Sequence, residues 1–259
     1  MRSLLFSWQC SQFVCIGSQL YRYFYLVKNI FKLSDEKLDY PISKFILEGP
    51  EDKLQLTENT QPAILVISYS IFNVLKNEYG FDLNSFKYLA GHSLGENSAL
   101  VCSGSLYFED ALHLLHERGK AMQEAVPIGN GSMIAVLGVK IDEINNLLES
   151  RNKNGVCEIA NDNADGQVIV SGNKESVETF RLILKEKKIK SIPLKVSAPF
   201  HCSLMKPAAI KMEEKINKTK FVNPSVEIVN NVTAKPEVNY DIIKQLLIKQ
   251  IFSSILIGV

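Results

Sequence analysis

Residues 86–102, "FKYLAGHSLGENSALVC", decide how the rest of the chain is read. The segment "FKYLAG" is short, apolar and closed by glycine, as a buried strand is, and "LGENSALVC" has the composition of a helix. Between them stands Gly91-His92-Ser93-Leu94-Gly95, a G-x-S-x-G. A strand that turns sharply into a helix through such a sequence presents a serine hydroxyl on the bend, and the glycines let neighbouring backbone approach without a Cβ clash. The helix N-terminus then offers N–H groups to a developing oxyanion. Ser93 is the candidate nucleophile. A serine that only caps the helix is the plain alternative.

Outward from this turn, the first half of the chain alternates helices with short strands, an α/β signature. In "LTENTQPAILVISYSIFNVLKNEYG", Thr60 is the expected cap, Pro62 suits the first helical turn and Gly80 closes the element. Residues 131–196 have a different grain: "GSMIAVLGV", "GVCEIAN", "GQVIVSG" and "IKSIPLKV" read as strands. "IDEINNLLESRNK" and "KESVETFRLILKEKK" read as helices between them. The order βαββαβ is the ferredoxin-like pattern. The expected architecture is thus α/β, with a hydrolase-like large subdomain on a parallel sheet (residues 1–128 and 197–259) and an inserted ferredoxin-like small subdomain (residues 129–196).

The helix "FEDALHLLHERGKAMQEAV", residues 108–126, carries Arg118 in the middle of the face formed by Ala111, Leu114, Leu115, Met122 and Ala125. A guanidinium turned inward keeps its charge and needs a partner. Two readings stand side by side: an internal Asp or Glu, or a carboxylate that arrives with the substrate and is held bidentately. His113 and His116 share this helix on its solvated side and read as a surface pair rather than a metal site.

Composition bounds the function. The 259 residues are 46% hydrophobic and 22% charged with a net charge of +1, ordinary for a globular protein and poor for bulk nucleic-acid binding. Five cysteines without a CxxC pair suit free thiols in a reducing compartment. No apolar run reaches the roughly 18 residues that span a bilayer. Ser7, Gln9, Ser11 and Gln12 interrupt the N-terminal apolar stretch, so a secretory leader fits poorly.

In order along the chain, "TENTQPAI", "AGHSLGENSALV", "RGKAMQEAVP", "GSMIAVLG", "ANDNADGQVIVSG", "VSAPFHCSLMKPA" and "VNNVTA" resemble the malonyl-CoA:acyl carrier protein transacylase family, across residues 6–253. The resemblance implies transfer of a malonyl group from malonyl-CoA to the phosphopantetheine thiol of acyl carrier protein, through a malonyl-serine, in fatty acid synthesis. It implies Ser93 as nucleophile and His201 as its base, with the imidazole oriented by a backbone carbonyl at Gln250. It implies Arg118 as the site for the malonate carboxylate, and Phe200 as the malonyl-selecting form of its motif. Asn161 and Asn163 match cleft-lining positions, although turn-forming asparagines read equally well there. No bound cofactor or metal is implied. The expected partner is acyl carrier protein, not nucleic acid or membrane, and the expected form is a cytoplasmic monomer, or an organellar one in a eukaryote. Lysines at 185, 187, 188, 190, 206, 211, 215, 218 and 220 offer an acidic carrier protein a surface, or are solvated helix faces.

Two stretches depart from the family. Phe6-Ser7-Trp8-Gln9-Cys10-Ser11-Gln12 runs in register with Phe-Pro-Gly-Gln-Gly-Ser-Gln, whose first Gln supplies the second oxyanion N–H beside that of Leu94. Gln9 keeps that position, while Trp8, Cys10 and Cys15 fill glycine positions. Glycines in such loops often hold positive φ, so restoring glycine at all three is expected to raise the rate. The family's large domain also continues past the point matching Val259, so a truncated, impaired homologue is one alternative expectation. A serine esterase or thioesterase on the same turn is the other, and would have no use for a buried Arg118.

Overall fold

A computed structural model describes residues 2–151, 154–194 and 196–256. The elements run β1 (Ser3–Phe6), α1 (Ser18–Tyr23), α2 (Tyr25–Leu38), α3 (Ile42–Leu47), α4 (Glu51–Leu54), α5 (Thr57–Glu78), β2 (Tyr88–Gly91), α6 (Leu94–Cys102) and α7 (Phe108–Glu124). Then come β3 (Gly131–Leu137), α8 (Ile141–Ser150), β4 (Cys157–Ala164), β5 (Gln167–Asn173), α9 (Lys174–Glu186) and β6 (Lys190–Pro193). The chain closes with α10 (Lys206–Lys218), β7 (Glu227–Val229), β8 (Pro236–Glu237), α11 (Tyr240–Gln250) and β9 (Ile255–Leu256). Packing divides it into two compact units. The first comprises Met1–Lys120, Lys215–Asn230 and Lys235–Lys244; the second comprises Ala121–Glu214, Asn231–Ala234 and Gln245–Val259.

The first unit is built on a sheet of order β1-β2-β7-β8. Strands β1, β2 and β7 are parallel and β8 turns back against β7. The register sets Phe6 opposite Gly91 and Leu89 opposite Ile228, so β1 and β2 leave the sheet side by side at the strand ends. Leu89 and Ile228 are fully buried, as a sheet covered on both faces requires. Helix α6 packs against β1, β2 and β7, and α5 packs against α6, with Ala63, Ile64, Leu65, Val66 and Ile67 all buried.

The second unit contains the expected βαββαβ. Its sheet has the order β6-β3-β5-β4, antiparallel throughout, with β9 added in parallel at the β4 edge. The alternation of the strands and the helical stripes of α8 and α9 bury one cluster on a single face of the sheet. Ile134, Val136, Val168, Val170, Val177 and Phe180 lie within it. Ile255 and Leu256 enter this sheet opposite Asn161 and Asp162. Residues 152, 153 and 195, which fall in the expected helix and strand, and 257–259 lie outside the described residues.

Two readings change. Asn161 and Asn163 are not in a turn: both sit within β4, whose pairing with β5 is bulged between Ile159 and Asn161 and again between Asp162 and Ala164. The turn falls one step later, before Gln167. The long helix begins at Thr57 instead of being capped by Thr60. The Thr60 hydroxyl donates to the Leu54 carbonyl at 2.7 Å, and the Asn59 side chain donates to the Lys53 carbonyl at 2.8 Å. These bonds fasten the end of α4 onto the new helix, whose cap is Leu56, four residues upstream of Thr60. Pro62 consequently sits inside α5, where its missing N–H leaves the carbonyl four residues earlier, at Glu58, without its helical donor.

That carbonyl is taken by α7. His116 Nδ1 lies 3.1 Å from the Glu58 oxygen and 3.2 Å from the Tyr40 hydroxyl. A carbonyl only accepts, so Nδ1 carries the proton. His113 remains exposed, but His116 is a half-buried bridge and not one of a surface pair. Three residues on, Gly119 faces the same turn of α5: a Cβ there would stand 2.5 Å from the Thr57 oxygen and 2.6 Å from the Glu58 Cα. The Gly119→Ala variant is expected to lose about 1–3 kcal/mol of stability by overpacking. Urea denaturation of variant and parent measures the difference, and an unchanged midpoint would show that the helices separate at little cost.

Candidate active site

The candidate residues are divided between the two units. In the first, the end of β2 turns into α6 at Ser93, whose backbone stands at φ 54° and ψ −108°. A residue with a Cβ pays for that conformation, and such strain persists only where surrounding packing enforces it. Here the enforcement is steric. A Cβ on Gly91 would lie 2.1 Å from the Gly95 carbonyl group, and one on Gly95 would lie 2.6 Å from the Phe6 oxygen and 2.7 Å from the Ser7 oxygen. Only glycine at both positions lets the bend close on itself and on the end of β1.

Ser93 precedes the first turn of α6, where the Gly95 and Glu96 amides bond to the His92 and Ser93 carbonyls at 2.9 and 3.1 Å. Among the described residues, the Leu94 and Gln9 amides donate to no protein acceptor. Leu94 follows Ser93 directly, and Gln9 stands three residues beyond the Phe6 that pairs with Gly91. The Gln9 side chain is tied by Nε2 to Thr57 Oγ1 at 3.3 Å.

Arg118 is 5% exposed. One N–H donates to Gln61 Oε1 at 2.7 Å and another to Ser93 Oγ at 3.0 Å. Burial lowers its pKa to about 10, and the nearby Glu96 carboxylate pushes it back up, so the guanidinium is charged at any neutral pH. Sequence reasoning framed its partner as a carboxylate only. The neutral Gln61, buried in α5, escaped notice although "NTQPAI" contains it, because an amide carries no charge to pair with an arginine in a pattern argument. Glu96 escaped because an acidic residue in a first helical turn is ordinary.

In the second unit His201 is 5% exposed, with φ 58°. Its Nδ1 lies 2.9 Å from the Gln250 carbonyl oxygen. Since that oxygen accepts, Nδ1 holds the proton and Nε2 is left with the lone pair. The Gln250 side chain is fully buried and donates to Asn231 Oδ1 at 3.1 Å. The Asn231 carbonyl in turn accepts from the Leu256 amide at 2.8 Å. Asn231, in the quoted "VNNVTA", is a further residue that sequence alone gave no chemical reason to single out. Phe200 and Asn161 are buried, and Asn163 is half-buried. Of the nine lysines considered for docking, Lys211 pairs with Glu124 at 2.9 Å and Lys215 with Glu117 at 3.1 Å, both on exposed surface.

The altered loop divides into two kinds of change. Cys10 and Cys15 stand at φ 82° and 74°, in the left-handed region expected of glycine positions. Trp8 does not, so the strain argument made for all three positions fails for it. Burial also pushes the Cys10 thiol up, away from the reactive thiolate form. The Cys10→Gly variant is expected to gain about 0.5–1 kcal/mol, the left-handed strain relieved less the extra freedom of unfolded glycine. Cys10→Ala keeps the Cβ and should gain nothing. Chemical denaturation of the two variants separates them, and equal midpoints would reject the strain.

Comparison with known proteins comes to the same place. A family model described as the acyl transferase domain matches residues 4–250. The malonyl CoA-acyl carrier protein transacylase of Bacillus subtilis is 38% identical over 255 residues, covering 98% of this chain and 79% of that one. The crystal structure of an acyl-carrier-protein-S-malonyltransferase from Bartonella henselae superposes with a TM-score of 0.95 at 36% identity, over 99% of this chain and 82% of that one. A type II PKS acyl-carrier protein in complex with its malonyl-transacylase gives 0.94 at 36% identity, over 98% and 82%. Among the described residues no helix is long and apolar enough to cross a membrane.

Proposed function

The chain belongs to the acyl transferase domain family, and from that premise we propose that it moves malonyl groups from malonyl-CoA to acyl carrier protein through an ester on Ser93. One observation carries the choice of substrate: a buried, charged Arg118 stands 3.0 Å from the Ser93 oxygen. A guanidinium oriented by Gln61 is a receptor for a carboxylate at the far end of a short acyl group. An esterase acting on neutral acyl chains would gain nothing from it and would bear the cost of burying the charge.

In the proposed mechanism the thioester carbonyl of malonyl-CoA meets Ser93 Oγ. His201, through Nε2, removes the hydroxyl proton as the oxygen attacks. The negative charge that forms on the carbonyl oxygen is received by the Gln9 and Leu94 amides. As the tetrahedral adduct collapses, the carbon–sulfur bond breaks and the CoA thiolate leaves with the proton from the imidazolium. Malonyl remains on Ser93 with its carboxylate on Arg118. The phosphopantetheine thiol of acyl carrier protein then gives its proton to His201 and attacks the ester. Malonyl passes to sulfur and the proton returns to Ser93. The Gln250 carbonyl stabilises the imidazolium in both halves and keeps Nε2 as the reacting nitrogen. Phe200 and Asn161 are proposed to shape the acyl site. Acyl carrier protein is the proposed partner by analogy with the relative solved in complex with one.

Incubation with malonyl-CoA followed by intact-mass measurement is expected to show a malonyl adduct on the parent and none on Ser93→Ala. Arg118→Ala should lose about 100-fold in kcat/KM for malonyl-CoA, as expected for a charge-assisted contact, while its rate with acetyl-CoA is unaffected or improved. A parent that forms no adduct would overturn the transferase reading. A parent that labels equally from acetyl-CoA would overturn the role of Arg118 alone.

A further inference from the structure

The Trp8 ring lies against the His92 ring, with centroids 4.8 Å apart and planes tilted by 51°. His92 is the residue before Ser93, and Trp8 is the residue before Gln9. The contact therefore joins the two segments that supply the nucleophile and one oxyanion donor. Backbone geometry brings them there: Phe6 is opposite Gly91, and the His92 amide reaches the Phe6 oxygen at 3.4 Å. The Trp8 carbonyl accepts from both the amide and the hydroxyl of Ser11, at 3.3 and 2.7 Å, closing a turn around Gln9 and Cys10.

The Cys10 amide also donates to Gln12 Oε1 at 2.7 Å, and further along the Cys15 amide donates to the Ile46 carbonyl at 2.8 Å, yet the backbone at both cysteines is strained. The Cys10 and Cys15 positions favour release from left-handed backbone, and the Gln9 tie to Thr57 is long at 3.3 Å. Trp8 itself is 47% exposed and unstrained, with one part of the indole on His92 and the rest in solvent. A large apolar ring left half in water at such a place is explained if its contact does something for the turn.

We propose that Trp8 is a positioning residue: its indole, seated on His92, holds the turn so that the Gln9 amide stays directed at the bend carrying Ser93. The inference rests on the transacylase reading, because it concerns the oxyanion of that reaction. It reverses the sign expected from sequence, by which glycine at this position would raise the rate. Trp8 does not touch the reacting atoms and acts through the donor that follows it. An aromatic contact of this kind shifts a conformational population by up to about tenfold.

Three measurements test the assignment. In single-turnover acylation by malonyl-CoA, Trp8→Gly is expected to be about tenfold slower at saturation with KM changed little, and Trp8→Phe is expected to recover most of the rate. Trp8 is the sole tryptophan of the chain, so its emission should shift to the red and become more open to acrylamide in His92→Ala. A Trp8→Gly rate at or above that of the parent, a loss confined to KM, or no rescue by phenylalanine would each overturn the proposal. Emission unchanged in His92→Ala would overturn the contact without any reference to activity. A parent that forms no adduct removes the transacylase reading itself, whereas a labelled parent matched by Trp8→Gly removes only this inference.

Discussion

Gly91 and Gly95 leave no space for a side chain, and the rest of the first unit is arranged around that constraint. The missing Cβ atoms let the turn after β2 fold onto the first residues of α6 and, across the sheet, onto the carbonyls that end β1. Three consequences meet at one point: the serine between the glycines is forced to positive φ, its hydroxyl is lifted off the sheet, and the segment after β1 is held within reach of it. A methyl group at either glycine would separate these by more than the tolerance of a hydrogen bond. The strain at Ser93 is thus the local expression of a close contact between two strands, sustained by packing that has no slack to release it.

The electrostatic arrangement answers a different demand. Placing a guanidinium where water cannot reach is costly unless its hydrogens are used, and Arg118 uses them on an amide and a hydroxyl. Gln61 holds the group through a neutral oxygen, while the Glu96 carboxylate nearby favours its charged form. Ser93 accepts one of these bonds. In the second unit the imidazole is set by the same economy of means. A main-chain carbonyl cannot be titrated or rotate away from its helix end, and the buried amide of Gln250 is itself held by Asn231.

Much of this was legible in the sequence where chemistry and pattern coincide. The glycine spacing around Ser93, the βαββαβ alternation and the inward arginine each follow from a period or a steric rule that one segment contains by itself. The residues that escaped are those whose role depends on a distant neighbour. Gln61 is one apolar-face amide among many until Arg118 is laid beside it, and His116 appears solvated until the carbonyl opposite is known to lack its donor. The strain argument at Trp8 failed for a related reason. A glycine position suggests a special backbone angle, but whether a given glycine was needed for its angle or merely for room is a property of the folded loop. At Cys10 and Cys15 the angle is real; at Trp8 it is not.

Pro62 gives the pairing of α5 and α7 a keyed register. A regular helix offers its neighbour a repeating surface, and two such surfaces can slide by a turn at modest cost. The proline interrupts the repetition at one carbonyl, and only one residue of α7, His116, is placed to fill the gap while Gly119 passes the same turn at backbone distance. Sliding in either direction would unmake both contacts at once. The lateral position of Arg118 beside Gln61 is therefore indexed by the main chain, through a defect in a helix some distance along it.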